Sequence, residues 1–97
     1  MHARVNATRW NPDKIEEGLR LTWDTIVPAY QEQPGFRGYF LLTEPGGDNA
    51  MAITMWETEA DMEASAPVAQ AMIPKLRDVI QERPVTETYE VTVNVQQ

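Results

Sequence analysis

Two neighbouring segments carry large apolar side chains at both odd and even positions, and this restricts the possible folds more than any other feature of the chain. Phe36, Phe40 and Leu42 share one parity within Phe36–Thr43, while Tyr39 and Leu41 take the other. Within Ala50–Trp56, Met51, Ile53 and Met55 oppose Ala52 and Trp56 in the same way. Successive strand residues point to opposite faces, so strands built from these segments are apolar on both sides. Each large side chain left in water forfeits about 1.5–3 kcal/mol. Both faces of such a sheet need cover.

The rest of the chain supplies two more strands and two helical regions. Ala3, Val5 and Ala7 alternate with Arg4, Asn6 and Thr8, the period of a strand over residues 3–9. Asn11, Pro12 and Asp13 then read as a helix start. Ile15, Leu19, Trp23, Ile26, Val27 and Tyr30 follow at helical spacing, which predicts one amphipathic helix over 12–33, bent near its end by Pro28. Gln33-Pro34-Gly35 stops it, and Pro45-Gly46-Gly47-Asp48 turns a hairpin between the two apolar strands. Thr58 with Asp61 resembles a capping box that opens a short helix, Glu59–Ala64. Ser65 and Pro67 can cap a second one, with Val68, Met72, Leu76, Val79 and Ile80 as its stripe and Pro74 kinking or breaking it near Ile73. Alternation returns over Val85–Val95.

The order βαββαβ with right-handed crossovers predicts a four-stranded antiparallel sheet in the order 4-1-3-2, with both helical regions on one face. All 97 residues form one domain, since a chain of this size supports a single core. Two helical regions cover only one face. A second copy of the chain, packed sheet to sheet across a two-fold axis, is the expected cover for the other.

Composition removes several classes of function. Fifteen acidic against eight basic residues leave a net charge of −7, which argues against nucleic acid as a partner. The chain has no cysteine, and its one histidine, His2, is next to the terminus. Thiolate nucleophiles, serine–histidine triads and imidazole metal sites are therefore not expected, and no cofactor or metal is read from the residues. No apolar run is long enough to span a bilayer and no secretory signal is visible, so the cytoplasm is the expected compartment. The acidic run Glu57, Glu59, Asp61 and Glu63 reads as a wet helix start, and Gly46-Gly47 lacks the strand-loop-helix setting of a phosphate loop.

Gln33-Pro-Gly-Phe-Arg-Gly38 entering the second strand and Trp56-Glu-Thr-Glu-Ala-Asp61 closing the third resemble the antibiotic biosynthesis monooxygenase (ABM) domains. These belong to the ferredoxin-like, dimeric α/β barrel superfamily, and the likeness runs from about Ala3 to Val95. It implies oxygenation of an aromatic or polyketide-like molecule without metal or flavin, in a cavity between sheet and helices. Haem-degrading relatives use an Asn on strand one, a Trp after the Trp-Glu motif and a His on the last helix. Asn6 falls where that Asn would be, Ser65 stands near the expected Trp, and the helix around Met72 offers no His, so the haem-cleaving set is incomplete.

The candidate catalytic residue is Asn6, whose amide can orient a carbonyl, phenol or dioxygen. Arg4, Trp23, Tyr30, Tyr39, Trp56 and Met72 are the candidate substrate-binding residues. Each has a plainer reading. Arg4, Asn6 and Thr8 form either a polar spot in the cavity or a hydrogen-bond network between packed sheets, and the aromatic residues are either ligand walls or core. Two functions are carried forward: a small cofactor-independent monooxygenase-like enzyme, and a non-catalytic dimeric barrel that binds a small apolar ligand as a stress or accessory module.

Overall fold

The computed structural model describes residues 1–97. Strand β1 (His2–Arg9) is followed by a single 3-10 turn (Pro12–Lys14), helix α1 (Ile15–Leu21), a π-helical turn (Thr22–Ile26) and helix α2 (Val27–Gln31). Strands β2 (Phe36–Thr43) and β3 (Asn49–Trp56) form the hairpin, helices α3 (Glu59–Ala64) and α4 (Ala66–Lys75) follow, and β4 (Val85–Glu90) closes the sheet. The sheet order is β2-β3-β1-β4 with every pair antiparallel, the expected 4-1-3-2 read from the other edge. The hairpin turns at Gly46, whose φ of 74° is open to glycine at no steric cost.

Register assigns the faces. Arg4 lies opposite Thr54, Asn6 opposite Ala52 and Thr8 opposite Ala50, so the polar side of β1 shares a face with Trp56. That face meets the helices, because Trp56 clusters with Ile26, Tyr30, Met62 and Met72. The alternative reading of Arg4, Asn6 and Thr8, between two packed sheets, is thereby corrected: they lie under the helices. A bulge at Arg37 shifts the β2–β3 register between Phe36 and Gly38. It turns Phe36 to the helix side, where its ring stacks on Tyr30 with centroids 6.3 Å apart, and leaves Phe40 and Leu42 on the bare face.

The first helical region departs from the expected stripe. Its buried residues are Gly18, Thr22, Ile26 and Tyr30, four apart, while Leu19 and Trp23 are exposed. The reason lies across the interface. The Trp10 indole, 4% exposed, fills the space beneath Gly18, so only a residue without a side chain fits above it. Pro28 has no N–H for the carbonyl of Asp24, and the helix widens just before it: Val27 N–H donates five residues back to Thr22 O.

Four further expectations are corrected. Asn11 makes no side-chain cap; its Nδ2 donates to Asp78 O at 3.2 Å and ties the end of β1 to the turn after α4. Ser65 does not cap α4, since its hydroxyl donates to Met62 O and accepts from Arg4. Helix α4 passes Pro74 and ends at Lys75, leaving Val79 and Ile80 in the following turn. Strand β4 stops at Glu90 instead of Val95, because its only partner is β1 and the pairing ends where β1 does, at His2 opposite Glu90. Thr58 does cap α3 as expected, accepting from Asp61 N–H at 3.0 Å.

A Cβ on Gly18 would lie 2.5 Å from Trp10 Cζ3 and 2.9 Å from Val79 Cγ1, both in the buried core. Gly18→Ala should therefore cost about 1–3 kcal/mol by overpacking. Thermal unfolding should show the midpoint lowered by at least about 4 °C; an unchanged midpoint would contradict this packing.

Candidate active site

Alanines on facing surfaces make the site. Ala50 and Ala52 on β3 look across at Ala66 and Ala69 on α4, and the space they do not fill is a cavity of about 260 Å³. Its depth is set by Arg4, Tyr30, Thr54 and Met72, all buried. Its exposed lining residues, Gln70, Arg83 and Thr86, place the mouth between α4 and β4. A buried apolar space of about 150 Å³ already holds benzene, so this one has room for one or two fused rings.

Of the residues singled out from sequence, Arg4, Asn6, Tyr30, Tyr39 and Met72 line this cavity together. Asn6 accepts a hydrogen bond at Oδ1 from Thr86 Oγ1, 2.6 Å away on the paired strand β4. That bond orients the amide and leaves the Nδ2 hydrogens without a protein acceptor at the cavity wall. Arg4 donates from Nη1 to Ser65 Oγ at 2.9 Å and from Nη2 to the carbonyl of Met62. The tyrosines stand side by side with ring centroids 6.1 Å apart.

Trp56 and Trp23 are not cavity walls. Trp56 is 0% exposed, sealed edge-on beneath Tyr30 and Phe36 with its indole N–H spent on Thr54 Oγ1 at 2.9 Å. It is core. Trp23 is 72% exposed, because the buried stripe passes through Thr22 instead. It borders a separate surface groove with Leu19 and Val27. Asp24 is exposed, and the acidic run forms no metal cluster: no three Asp, Glu, His or Cys side chains gather closely enough to hold an ion.

Sequence reasoning passed over Thr54, Gln70, Arg83 and the four alanines. Thr54 was findable by parity, since it sits with Ala50 and Ala52 on the small-residue side of an otherwise bulky strand. Arg83 had no local signal, for it reaches the mouth from the loop before β4.

Residues 1–67 match the Antibiotic biosynthesis monooxygenase family. This chain belongs to that family. No curated protein matches it in sequence. Among solved structures, the ABM fold is shared with the heme-degrader MhuD of Mycobacterium tuberculosis, at 22% identity over 99% of this chain and 100% of that one, with a TM-score of 0.78. The monooxygenase ActVA-Orf6 of Streptomyces coelicolor, solved with Nanaomycin D, matches at 14% identity, over 99% and 91% of the two chains, with a TM-score of 0.78. SnoaB of Streptomyces nogalater, a cofactor-independent oxygenase, matches at 15% identity over 99% and 97%, with a TM-score of 0.76. At such identities the likeness to these three establishes the ABM fold.

The two phenols behave alike. Burial holds Tyr30 above its ordinary value, with the adjacent Arg4 opposing part of the rise, and burial together with Tyr30 pushes Tyr39 up to about 12. Both act as hydrogen-bond donors at neutral pH. Because the unfolded chain ionises at the ordinary value of 10.0 and folded Tyr39 only near 12, stability is complete below pH 10 and falls through that interval. Denaturant titrations should register a loss of about 2–3 kcal/mol from Tyr39 across it, and Tyr39→Phe should remove that part and leave the contribution of Tyr30.

Proposed function

We propose that this ABM protein is a small monooxygenase-like enzyme that oxidises an aromatic or polyketide-like molecule without a cofactor, acting as one domain over residues 1–97 in the cytoplasm. The observation that carries the reading is an apolar cavity for one or two rings, walled by Tyr30, Tyr39 and Met72, with the oriented Asn6 amide at its wall. In such a reaction an activated methylene loses two hydrogens and gains one oxygen atom, and the second oxygen leaves as water. All four electrons come from the substrate. The protein contributes a dry cavity, alignment and a few hydrogen bonds, and Nδ2 of Asn6 supplies one to the developing oxygen charge.

A haem substrate fits less well. The cavity of about 260 Å³ is short of the room a tetrapyrrole needs, and no histidine lines it to ligate the iron. Oxygen consumption with a panel of hydroquinones and anthrones should exceed the buffer blank and drop about tenfold or more in Asn6→Ala, with the melting temperature held within a few degrees. Uptake no faster than the blank would leave the second reading, a non-catalytic barrel that binds a small apolar ligand.

We also infer a homodimer. Phe40, Leu42, Met51, Val85 and Tyr89 project from the face without helices, each at least a third exposed. They form one contiguous apolar surface of the kind that marks an interface. Light scattering should give twice the chain mass of 11.0 kDa, and Leu42→Glu should return a folded monomer. A wild-type mass of one chain at micromolar concentration would overturn the pairing.

A further inference from the structure

The charge of the cavity is opposite to that of the chain. The protein carries −7 overall, with fifteen acidic and eight basic residues, yet the only charged side chains lining the cavity are Arg4 and Arg83. No Asp, Glu or His borders it. Arg83 is at the exposed mouth, where water solvates it. Arg4 is different. It is 5% exposed, and none of the ion pairs in the molecule includes it.

A buried guanidinium without a carboxylate is costly, and neutral oxygens recover only part of that cost. Arg4 has two such partners at the C-terminal end of α3, Ser65 Oγ and Met62 O. They account for Nη1 and Nη2 and give the residue a capping role on a helix of six residues. They do not account for Nε. Neither bond occupies it, and since no buried side-chain nitrogen of the molecule lacks a partner, Nε is open to the cavity that Arg4 lines, beside the Tyr30 hydroxyl. A cap alone does not require that edge.

The missing base points the same way. A neutral acid entering the cavity finds no carboxylate or imidazole to take its proton, and both phenols donate. A ligand that acts from its ionised form must arrive ionised or lose its proton to water, favoured by the guanidinium.

We propose that Arg4 is the counter-ion of a flat organic oxyanion bound in this cavity: one or two fused rings bearing a single negative charge on oxygen, as an ionised phenol or enol or as a ring carboxylate. The inference rests on the cavity being the ligand site of the proposed oxygenase, and names the ionisation state of what it takes. The guanidinium presents the planar donor set that oxyanions match, and the tyrosines add neutral donors.

The test is binding, measured by tryptophan fluorescence and calorimetry, with three probes. 2-Naphthoate represents the carboxylate, 4-nitrophenol the ionisable phenol, and 2-naphthalenemethanol a neutral molecule of the naphthoate's size. At least one anion should bind about tenfold or more tighter than the alcohol. Arg4→Met should abolish that preference, Arg4→Lys should retain part of it, and Ala69→Leu, which fills the cavity, should remove binding of all three. The proposal is overturned if the alcohol binds within about twofold of both anions or if the preference survives in Arg4→Met. Should Arg4→Met fail to fold by circular dichroism, the wild-type protein decides alone: bound 4-nitrophenol, followed by its own absorbance, should ionise about one pH unit lower than free, and an unchanged or raised value together with 2-naphthoate bound no tighter than the alcohol overturns the proposal. A preference for 2-naphthoate without the 4-nitrophenol shift assigns the carboxylate, and the shift without the preference assigns the phenol or enol. Neither assay consumes oxygen, so a protein that selects the anion but fails the oxygen-uptake test separates the ligand class from the proposed reaction.

Discussion

Two indoles keep the helices away from the middle of the sheet. Trp56, at one end of β3, is packed among Tyr30, Phe36, Ile26 and Met62, and Trp10, just past the other end of β1, is packed under Gly18 against Val79. Between these two pillars the facing surfaces carry alanine, and the gap cannot collapse without crushing a large rigid side chain at one end or the other. The cavity is therefore a consequence of where the bulk lies. It needs no loop or lid to define it.

The same arrangement explains why polar atoms sit so deep in a small protein. Thr54, Thr22 and Ser65 are all buried, and each has a hydrogen-bond partner of its own: the Trp56 indole, the carbonyl of Gly18, and the Arg4 guanidinium. No buried side-chain polar atom is left without one. A satisfied network of this kind holds its members in single orientations. That is what a site depending on a fixed amide and a fixed cation requires.

Much of the architecture was legible because it is written locally. The bounds of β2, the Gly46 turn and the Thr58 cap depend on residues within a few positions of one another, and all stand where pattern and turn chemistry put them. What was not legible depends on partners far along the chain. Leu19 and Trp23 look like core by spacing, but the stripe that meets the sheet runs through Gly18 and Thr22 because Trp10 already occupies the volume. The bulge at Arg37 reverses the parity of Phe36, and nothing in Pro34-Gly35-Phe36-Arg37 announces it. For the site, Arg4 and Asn6 emerged from the polar half of an alternating strand, as did the tyrosines as aromatic walls. Trp56 was misplaced because size and aromaticity do not tell a wall from the masonry behind it.

A cavity lined by neither carboxylate nor imidazole has no group of its own that changes charge between about pH 5 and pH 9. The acid and alkaline limbs of any activity there belong to the guest molecule and move when the guest is exchanged. The same pocket could serve an acidic compound in mildly acid surroundings and a weaker acid in alkaline ones, with no change in the protein, so its working range is inherited from the chemistry that feeds it.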